Sequence, residues 1–335
     1  MDIHPLRQTE YEAYLSLWSQ TFGDSRGEIE TFLQTFGSDQ TAWILVEDGV
    51  IASAVTCFLM GRVTGPKVAA GAKAPAGPGG VAGKPAWISY AICTHPSQRG
   101  KGFGSRLTAH VRDWVLAQGG LSFLCPAEPS LVEFYRPLGY EPAAFAQVQQ
   151  GNGLPGSAEE TAGGGSFGPP IQVASPAFAT APTALPAALK GIAPAGYQTA
   201  RERFLAGTPH IALSDRAMAY VALCAMEGAG LLEIDGGQGI CACEKEGSHL
   251  IIQELLGQGE PAKIAAALGC QTYAVTVPTA PLAVSTPQAA SADPASAASL
   301  ISPDPFVQAM AAGQIAGTGQ MQAASLPFWF GFPFA

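Results

Sequence analysis

The sequence RGKGFG (residues 99–104) marks the best-defined structural unit of this chain. It follows an apolar run rich in β-forming residues, Trp87–Thr94, and it opens a segment with apolar residues at helical spacing, Phe103–Gln118. The pattern therefore predicts a buried strand, a glycine loop and a helix in that order. Because glycines allow close backbone approach and a helix N-terminus attracts anions, this order suits the binding of a pyrophosphate.

Two better-known phosphate loops do not fit these residues. The chain contains no GxxxxGK[ST] string, which excludes a P-loop, and GKGFGS (residues 100–105) lacks the last glycine of the dinucleotide-binding pattern GxGxxG. Nucleoside triphosphates and NAD are therefore poor candidates as ligands. A short glycine spacing is a weak motif by itself, and a plain glycine turn before a helix is the alternative.

Length and composition predict a folded protein with two domains. The chain has 335 residues, of which 47% are hydrophobic and 13% charged, and its 40 glycines and 27 prolines concentrate in a few segments. We find no apolar run near the ~20 residues that a membrane-spanning helix needs. The shifts in composition predict a first domain at 1–150 with a flexible insertion at 61–85, a Pro/Gly/Ala-rich linker at 151–195, and a second domain at 196–335.

Cysteine content and charge restrict the environment and the partners of the chain. The N-terminus lacks the basic and apolar segments of a secretory signal, and the seven cysteines form no CxxC pair, so we expect free thiols in a cytoplasmic protein. Cys241 and Cys243 would share one face of a strand, but no further ligand pair accompanies them, which favours core packing over metal binding. A net charge of −9 disfavours nucleic acid and favours cationic small molecules.

A second signature, FYRPLGY (residues 134–140), lies downstream of the glycine loop. Together with the R-x-x-G-x-G pattern of Arg99–Gly104 and a hairpin turn at Asp48-Gly49, it resembles the GNAT superfamily of acetyl-CoA-dependent N-acetyltransferases. The resemblance covers about residues 1–150. It implies an α/β fold with a mixed sheet, in which acetyl-CoA lies in a cleft where two central parallel strands splay apart.

The resemblance also implies roles for individual residues. The pantetheine arm of acetyl-CoA would pair with the end of the strand before the loop, and the pyrophosphate would bind the loop amides. Tyr135 would protonate the departing CoA thiolate, unless it is only a packed aromatic side chain. The residues implied to bind acetyl-CoA are Ile92, Cys93, Thr94, Arg99, Gly100, Lys101, Gly102, Phe103, Gly104 and Ser105.

One position departs from the family pattern. Many members carry an asparagine seven residues before the catalytic tyrosine, where this chain has Glu128. Glu128 would orient or deprotonate the amine substrate, or it would simply begin a helix. His95 follows the strand directly and is expected to be an exposed loop residue rather than a catalytic one.

The second block of the chain repeats the element order of the first: two helices, a hairpin, a strand, a helix and a strand. In place of the phosphate loop it has GQGEP (residues 257–261), whose acid and proline disfavour a pyrophosphate. We therefore expect a degenerate GNAT-like domain that does not bind CoA. Such a tandem resembles the enhanced-intracellular-survival type of bacterial acetyltransferase, in which the C-terminal carboxylate, here that of Ala335, can serve as the base.

The predicted function is an acetyl-CoA-dependent N-acetyltransferase that acts, without a metal, on a small cationic acceptor such as an aminoglycoside, a polyamine or a lysine-like amine. The amine would attack the thioester directly while a backbone amide near Cys93 polarises the carbonyl. A non-catalytic acyl-CoA-binding or interaction module is the alternative. Aminoacyl transfer from tRNA is disfavoured by the excess of acidic residues. We expect no membrane partner, and a homo-oligomer remains open.

The apolar C-terminal run, Leu326–Ala335, is expected to dock at the active site. Deleting the last five residues should then abolish turnover and preserve acetyl-CoA binding, because only the proposed base is lost. CoA release and acetyl-CoA affinity, both measured on the truncated chain, test this role. Full activity of the truncated chain would exclude the C-terminal carboxylate as the base.

Overall fold

The computed structural model describes residues 1–64, 83–153, 189–225, 230–279, 300–301 and 306–312. The first half alternates strands and helices as the sequence predicts, with element boundaries shifted by a few residues. Its elements are β1 (Asp2–Pro5), α1 (Tyr11–Phe22), α2 (Arg26–Phe36), β2 (Gln40–Glu47), β3 (Val50–Thr64), β4 (Pro85–Thr94), α3 (Phe103–Ala117), β5 (Leu121–Leu124), α4 (Ser130–Tyr135) and β6 (Glu141–Asn152).

The second half has the same kinds of element in a similar order. Its elements are β7 (Leu189–Gly191), α5 (Pro194–Phe204), β8 (His210–Leu213), α6 (Asp215–Ala225), β9 (Gly230–Ile234), β10 (Gly239–Glu246), β11 (His249–Gly257), α7 (Pro261–Ala267), β12 (Thr272–Thr279), β13 (Leu300–Ile301) and β14 (Phe306–Ala312).

One mixed sheet runs through both halves, in the order β1-β2-β3-β4-β5-β14-β6-β12-β11-β10-β9-β7. Each half contributes antiparallel strands that end in one parallel pair, β4 with β5 and β11 with β12. The predicted α/β class with a mixed sheet is confirmed. The matching strand order supports the expected repeat of the first half in the second.

Local sequence explains the corner between the first two helices. α1 ends at Gly23, whose φ of 87° is the left-handed conformation that glycine adopts without strain. α2 begins with a capping box, in which the Ser25 hydroxyl accepts from the Glu28 amide and the Glu28 carboxylate accepts from the Ser25 amide. Asp24 is held between these two helix ends, so its position is well defined.

Four helices from the two halves share one hydrophobic core on the same face of the sheet. Buried residues of α1 and α2, such as Trp18 and Phe32, belong to one cluster with buried residues of α5 and α6, such as Tyr197 and Met218. α3 covers the opposite face over a separate cluster that includes Leu107. Because the core is shared, neither half buries its apolar surface alone.

The C-terminal part of the chain supplies a strand that the sequence analysis missed. β14 pairs with β5 through Met310 and Leu124, and its other edge pairs with β6. β6 itself continues to Asn152, so the domain boundary placed at residue 150 lies inside this strand. The aromatic terminal run and Ala335 lie outside the described residues.

β3 reaches the second half at its far end. Residues 61–64 pair with β8, and a Cβ placed on Gly61 would come within 1.9 Å of the Ala212 carbonyl oxygen, so only glycine permits this approach. The predicted flexible insertion at 61–85 therefore begins inside a strand, and Pro85 already belongs to β4. The remainder of that insertion, residues 65–82, lies outside the described residues.

A charged pair is buried in the core of the second half. Arg201 and Glu254 are both fully buried, with Arg201 Nε donating to Glu254 Oε1 at 3.0 Å, and the Tyr197 hydroxyl donates to Glu254 Oε2 at 2.9 Å. Arg201 also donates to the Ile211 carbonyl, which ties α5 to β8. Glu254 follows an irregularity in the β10–β11 register, and the pair fills the interior at this point.

Replacing Glu254 by glutamine should lower the free energy of unfolding by about 3–5 kcal/mol, because Arg201 is then a buried charge without its carboxylate. Glu260→Gln is the matched control, since Glu260 forms an exposed pair with Lys263 and should contribute at most about 1 kcal/mol. Urea unfolding of both variants measures the difference. Equal stability of the two variants would contradict the stabilising role of Glu254 beside the buried Arg201.

Candidate active site

The parallel strands β4 and β5 pair over only three residues and then diverge. The last pair is Ile88 with Phe123, after which β4 continues to Thr94 while β5 ends at Leu124. Beyond this pair the register between β3 and β4 shifts, and Ala91 has a φ of 48°. A non-glycine residue in the left-handed region marks a β-bulge, which bends β4 away from β5. The predicted splay is therefore present.

The glycine loop leads from the end of β4 into α3. Gly100 and Gly102 have φ values of 77° and 75°, a conformation in which any other residue is strained. Gly102 is the N-cap of α3, and no described side chain caps this end of the helix. The first helical hydrogen bond is donated by Arg106, so the preceding amides at the start of α3 have no partner within the helix.

The start of α3 packs tightly on the end of β4. A Cβ on Gly104 would lie 2.9 Å from Thr94 Oγ1, and Thr94 Oγ1 is itself 3.1 Å from the Ser53 hydroxyl. Ser53 also donates to the Cys93 carbonyl at 2.7 Å. These contacts hold the uncapped helix end directly beside the last residues of the bulged strand.

The two cations of the loop are exposed at its surface. Lys101 Nζ donates to the Gln98 side chain at 2.8 Å, and Arg99 Nε makes a long contact of 3.4 Å with the Thr94 carbonyl. Both contacts are with neutral groups, so each cation remains available to an anion. The structure thus brings together every residue from Ile92 to Ser105 that the sequence analysis assigned to acetyl-CoA.

Cys93 lies in this strand but does not have the character of a nucleophile. Its side chain is 3% exposed, and burial raises the pKa of the thiol to about 12. A thiol of that pKa is protonated at neutral pH, and the thiolate is the reactive form.

Tyr135 ends α4 on the far side of the splay. Its side chain is 6% exposed, and burial, with a smaller effect of Cys125, raises the pKa of the phenol to about 12. Its ring contacts Tyr140 edge-on at 6.1 Å, and in the described part of the chain its hydroxyl has no hydrogen-bond partner. The phenol is therefore neutral, held in place by packing and free to donate.

The packing around Tyr135 comes partly from the missed strand β14. Met310 is fully buried in one cluster with Tyr135, Tyr140 and Val132. The Tyr140 hydroxyl in turn lies 2.8 Å from the Ser122 hydroxyl on β5. Nothing in the local sequence of FYRPLGY indicates that a residue so distant in the chain supports it.

Glu128 and His95, which the sequence analysis considered for catalytic roles, have structural roles in this region. Glu128 is exposed, its carboxylate accepts from Ser130 at 2.6 Å, and its carbonyl accepts the Leu131 amide at the start of α4. His95 caps a short 3-10 turn through the Ser97 amide. Both are adjacent to the loop or helix start, as the sequence predicts. The role of Glu128 as a base remains a prediction.

The opposite wall of the splay carries an acid that the sequence analysis did not single out. The Trp18 indole donates to Asp24 Oδ2 at 2.6 Å, and the described residues include no cation paired with this carboxylate. Burial and then the charge of Asp24 raise the pKa of Tyr90, a β4 residue. A short polar sequence between two helices looks like an ordinary turn, so no local signal distinguishes Asp24.

The second half lacks an equivalent of the phosphate loop. At the end of β11 the Gln258 amide donates to the Gln238 carbonyl, and a Cβ on Gly257 would collide with Phe204, so this loop is packed into the protein. The following helix, α7, begins at Pro261, and the preceding Glu260 carboxylate pairs with Lys263 at 2.6 Å. A phosphate would meet a negative charge and one amide fewer there.

The cysteines of the second half are packed rather than arranged for a metal. Cys241 and Cys243 are fully buried, and their sulfur atoms are 4.0 Å apart. No cluster of three or more potential metal ligands occurs among the residues that the structure describes. Within the same residues no helix has the length and apolar character needed to cross a membrane.

Comparison with known families identifies a similar domain family for the first half of the chain. Residues 2–143 match the family model of the acetyltransferase (GNAT) domain. This part of the chain is therefore similar to GNAT acetyltransferase domains. The match confirms the predicted enzyme class, an acyltransferase.

Solved structures share this GNAT fold beyond the first half of the chain. A protein of unknown function from Enterococcus faecalis V583, designated a probable N-acyltransferase, is 14% identical over 92% of this chain and 72% of its own, with a TM-score of 0.59. GCN5-related N-acetyltransferases from Anabaena variabilis and Kribbella flavida also cover 92% of this chain and 72% and 70% of their own, at 16% and 17% identity and TM-scores of 0.58 and 0.55. These likenesses concern the fold of both halves. No curated protein matches the chain significantly.

The glycine loop generates a direct test. Gly102→Glu should weaken acetyl-CoA binding at least about 100-fold, equivalent to about 2.7 kcal/mol, because it places a charge at the helix end and strains a positive φ. Gly119→Glu is the matched control, since Gly119 has a φ of 73° and open space at the other end of α3. Calorimetric titration with acetyl-CoA should show one site in the control. Equal affinity for acetyl-CoA in both variants would rule out this loop as the binding site.

Proposed function

We propose that this protein transfers the acetyl group of acetyl-CoA to the primary amine of a small cationic acceptor. The observation that carries the proposal is the uncapped start of α3, which lies beside the bulged end of β4 and across the splay from a neutral, buried Tyr135. A site for an anion, an open strand edge and a proton donor are the three parts that acetyl transfer from CoA needs.

On the CoA side, the pyrophosphate would bind the amides from Gly102 to Ser105. The positive end of α3 contributes about half a unit charge there, and Lys101 and Arg99 add mobile cations at the rim. The pantetheine arm would lie along Ile92–Thr94, on the edge of β4 that no longer pairs with β5.

The chemical step requires a proton donor for the leaving thiolate. The phenol of Tyr135, with its pKa raised to about 12, keeps its proton across the physiological range and can donate a hydrogen bond to the thiolate. The apolar surroundings that raise the phenol's pKa also raise that of a thiolate beside it, which favours completion of the proton transfer. A backbone amide near Cys93 would polarise the thioester carbonyl.

Direct attack by the amine is the simplest route in this site. Cys93 is the thiol nearest to the loop, and its raised pKa argues against an acetyl-cysteine intermediate. The amine would therefore form its bond to the acetyl carbon while the bond to sulfur breaks.

The second half is proposed to be a degenerate GNAT-like domain, in a tandem of the enhanced-intracellular-survival type. Its strand order repeats that of the first half, and its loop at Gly257–Pro261 is packed and acidic. It would contribute structure and part of the acceptor side. All seven cysteines are free thiols, which agrees with the proposed cytoplasmic location.

Tyr135→Phe should lower kcat at least about tenfold and leave acetyl-CoA affinity unchanged, because the phenol acts only on the leaving group. In the wild type, kcat should show no loss from ionisation of Tyr135 below about pH 11, since the neutral form persists below the raised pKa. Tyr273→Phe in β12 is the control. Unchanged kcat in Tyr135→Phe would show that another group donates the proton to the CoA thiolate.

Binding of acetyl-CoA without release of CoA, tested with a broad set of amines, would instead favour the non-catalytic acyl-CoA-binding module. Absence of both binding and release would remove the proposal altogether.

A further inference from the structure

The acceptor side of the splay has an unusual chemical composition. We define the acceptor recess as the half-buried residues Asp24, Tyr90, Cys125, Tyr220 and Cys224. They come from the α1–α2 corner, from β4, from the end of β5 and from α6, so both halves of the chain contribute. One carboxylate, two phenols and two thiols make up this set.

Ring contacts show that the recess is continuous with the aromatic core. Tyr90 lies 5.8 Å from Trp18 and stacks on Phe32 at 5.1 Å, and Tyr220 contacts Phe32 edge-on at 5.2 Å. Trp18 and Phe32 are each 2% exposed. The two tyrosines therefore form the accessible layer of an aromatic cluster whose deeper rings are inaccessible.

The electrostatics of the recess come from one charge. Burial raises the pKa of Tyr220, the thiol of Cys224 and the phenol of Tyr90 raise it further, and the Asp24 carboxylate adds to the rise. Asp24 is thus close enough to act on both tyrosines. Both phenols stay neutral, which leaves Asp24 as the anion of the recess.

Two other acids of the α1–α2 corner are paired with a cation, and a third accepts a backbone amide. Glu12 and Glu30 both pair with Arg26, at 2.7 and 2.9 Å, and Glu28 accepts the Ser25 amide in the capping box. The pairing with Arg26 offsets the charges of Glu12 and Glu30. Among the residues that define the recess, Asp24 is therefore the one carboxylate that a cationic ligand would meet.

We propose that the acceptor is a monoamine carried on an aromatic or bulky apolar group, a substrate class that rests on the proposed acetyl transfer. The ammonium would pair with Asp24, and the apolar body would lie against Tyr90 and Tyr220, where its burial is favourable. The ammonium loses one proton to solvent, and the amine nitrogen bonds to the acetyl carbon as the carbon–sulfur bond breaks. CoA leaves as its thiol with a proton from Tyr135, and the second proton lost from the nitrogen restores the Tyr135 phenol. The products are the N-acetylated amine, CoA and the released proton.

Acceptors with several ammonium groups fit this recess less well. Each additional ammonium would lose water against aromatic rings and thiols without gaining a carboxylate, and an unpaired buried charge is costly. The recess thus favours amines with one positive charge over amines with several. It also makes Tyr220, a residue of the second half, a specificity determinant for chemistry in the first half.

The test is a CoA-release assay with three amines: 2-phenylethylamine, spermidine and kanamycin. We expect kcat/KM for 2-phenylethylamine to exceed that for either polycation at least about tenfold, the effect of one unpaired charge at a partly exposed site. A preference for spermidine or kanamycin would overturn the inference and preserve the proposed function. Acetyl-CoA binding without release for any amine would overturn both.

Variants locate the effect within the recess. Asp24→Asn should raise KM for 2-phenylethylamine at least about tenfold with little change in acetyl-CoA affinity, and Glu12→Gln, an exposed acid outside the recess, should not. Tyr220→Ala should raise the same KM by about tenfold, while Tyr220→Phe, which keeps the ring, should change it less than about threefold. Acetyl-CoA affinity serves as the check on folding. Unchanged KM in both Asp24→Asn and Tyr220→Ala would refute the assignment.

Discussion

Beyond the pair Ile88 and Phe123, β4 and β5 stop hydrogen-bonding to each other, and the rest of the site depends on this divergence. The bulge at Ala91 bends β4 outward, and beyond it the strand end pairs with β3 but no longer with β5. The same strand delivers the chain into a glycine loop whose helix has no side-chain cap among the described residues. A regular, fully paired sheet would offer neither an open edge nor a free helix end at this place. The open strand edge and the free helix end are therefore properties of the backbone more than of any side chain.

Opposite electrostatic environments lie on the two sides of the splay. The start of α3 and the cations beside it favour an anion, whereas the α1–α2 corner presents Asp24 among aromatic rings. In a chain with only 13% charged residues, a few fixed charges and dipoles have a large local effect because little else competes with them. Tyr135 lies between these environments and is neutral. In the proposed reaction this arrangement would orient a donor with a pyrophosphate and an acceptor with an ammonium so that their reactive groups meet.

The second half lacks the features of a phosphate site and has packing contacts and a buried ion pair instead. Its loop packs against Phe204 and Gln238, and Arg201 and Glu254 form a buried pair held by three hydrogen-bonded elements. The C-terminal strand β14 enters the sheet of the first half and places Met310 against the cluster of Tyr135. α6 brings Tyr220 to Phe32. The second half therefore completes the first one physically, since it supplies a strand, part of the shared core and one wall of the acceptor recess.

Sequence alone determined the helices and most of the longer strands, though not β14, because periodic apolar residues, the Asp48-Gly49 turn and RGKGFG each act through local backbone preferences. It also identified the loop that we propose to bind acetyl-CoA and Tyr135, which lie in two compact motifs, and the acidic loop at the corresponding place in the second half. Tertiary structure decided the bulge at Ala91, the insertion of β14, and the meeting of Asp24 with Tyr90 and Tyr220. These features join residues far apart in the chain. Local sequence patterns do not predict such contacts, because the contacts are stabilised by packing between distant segments.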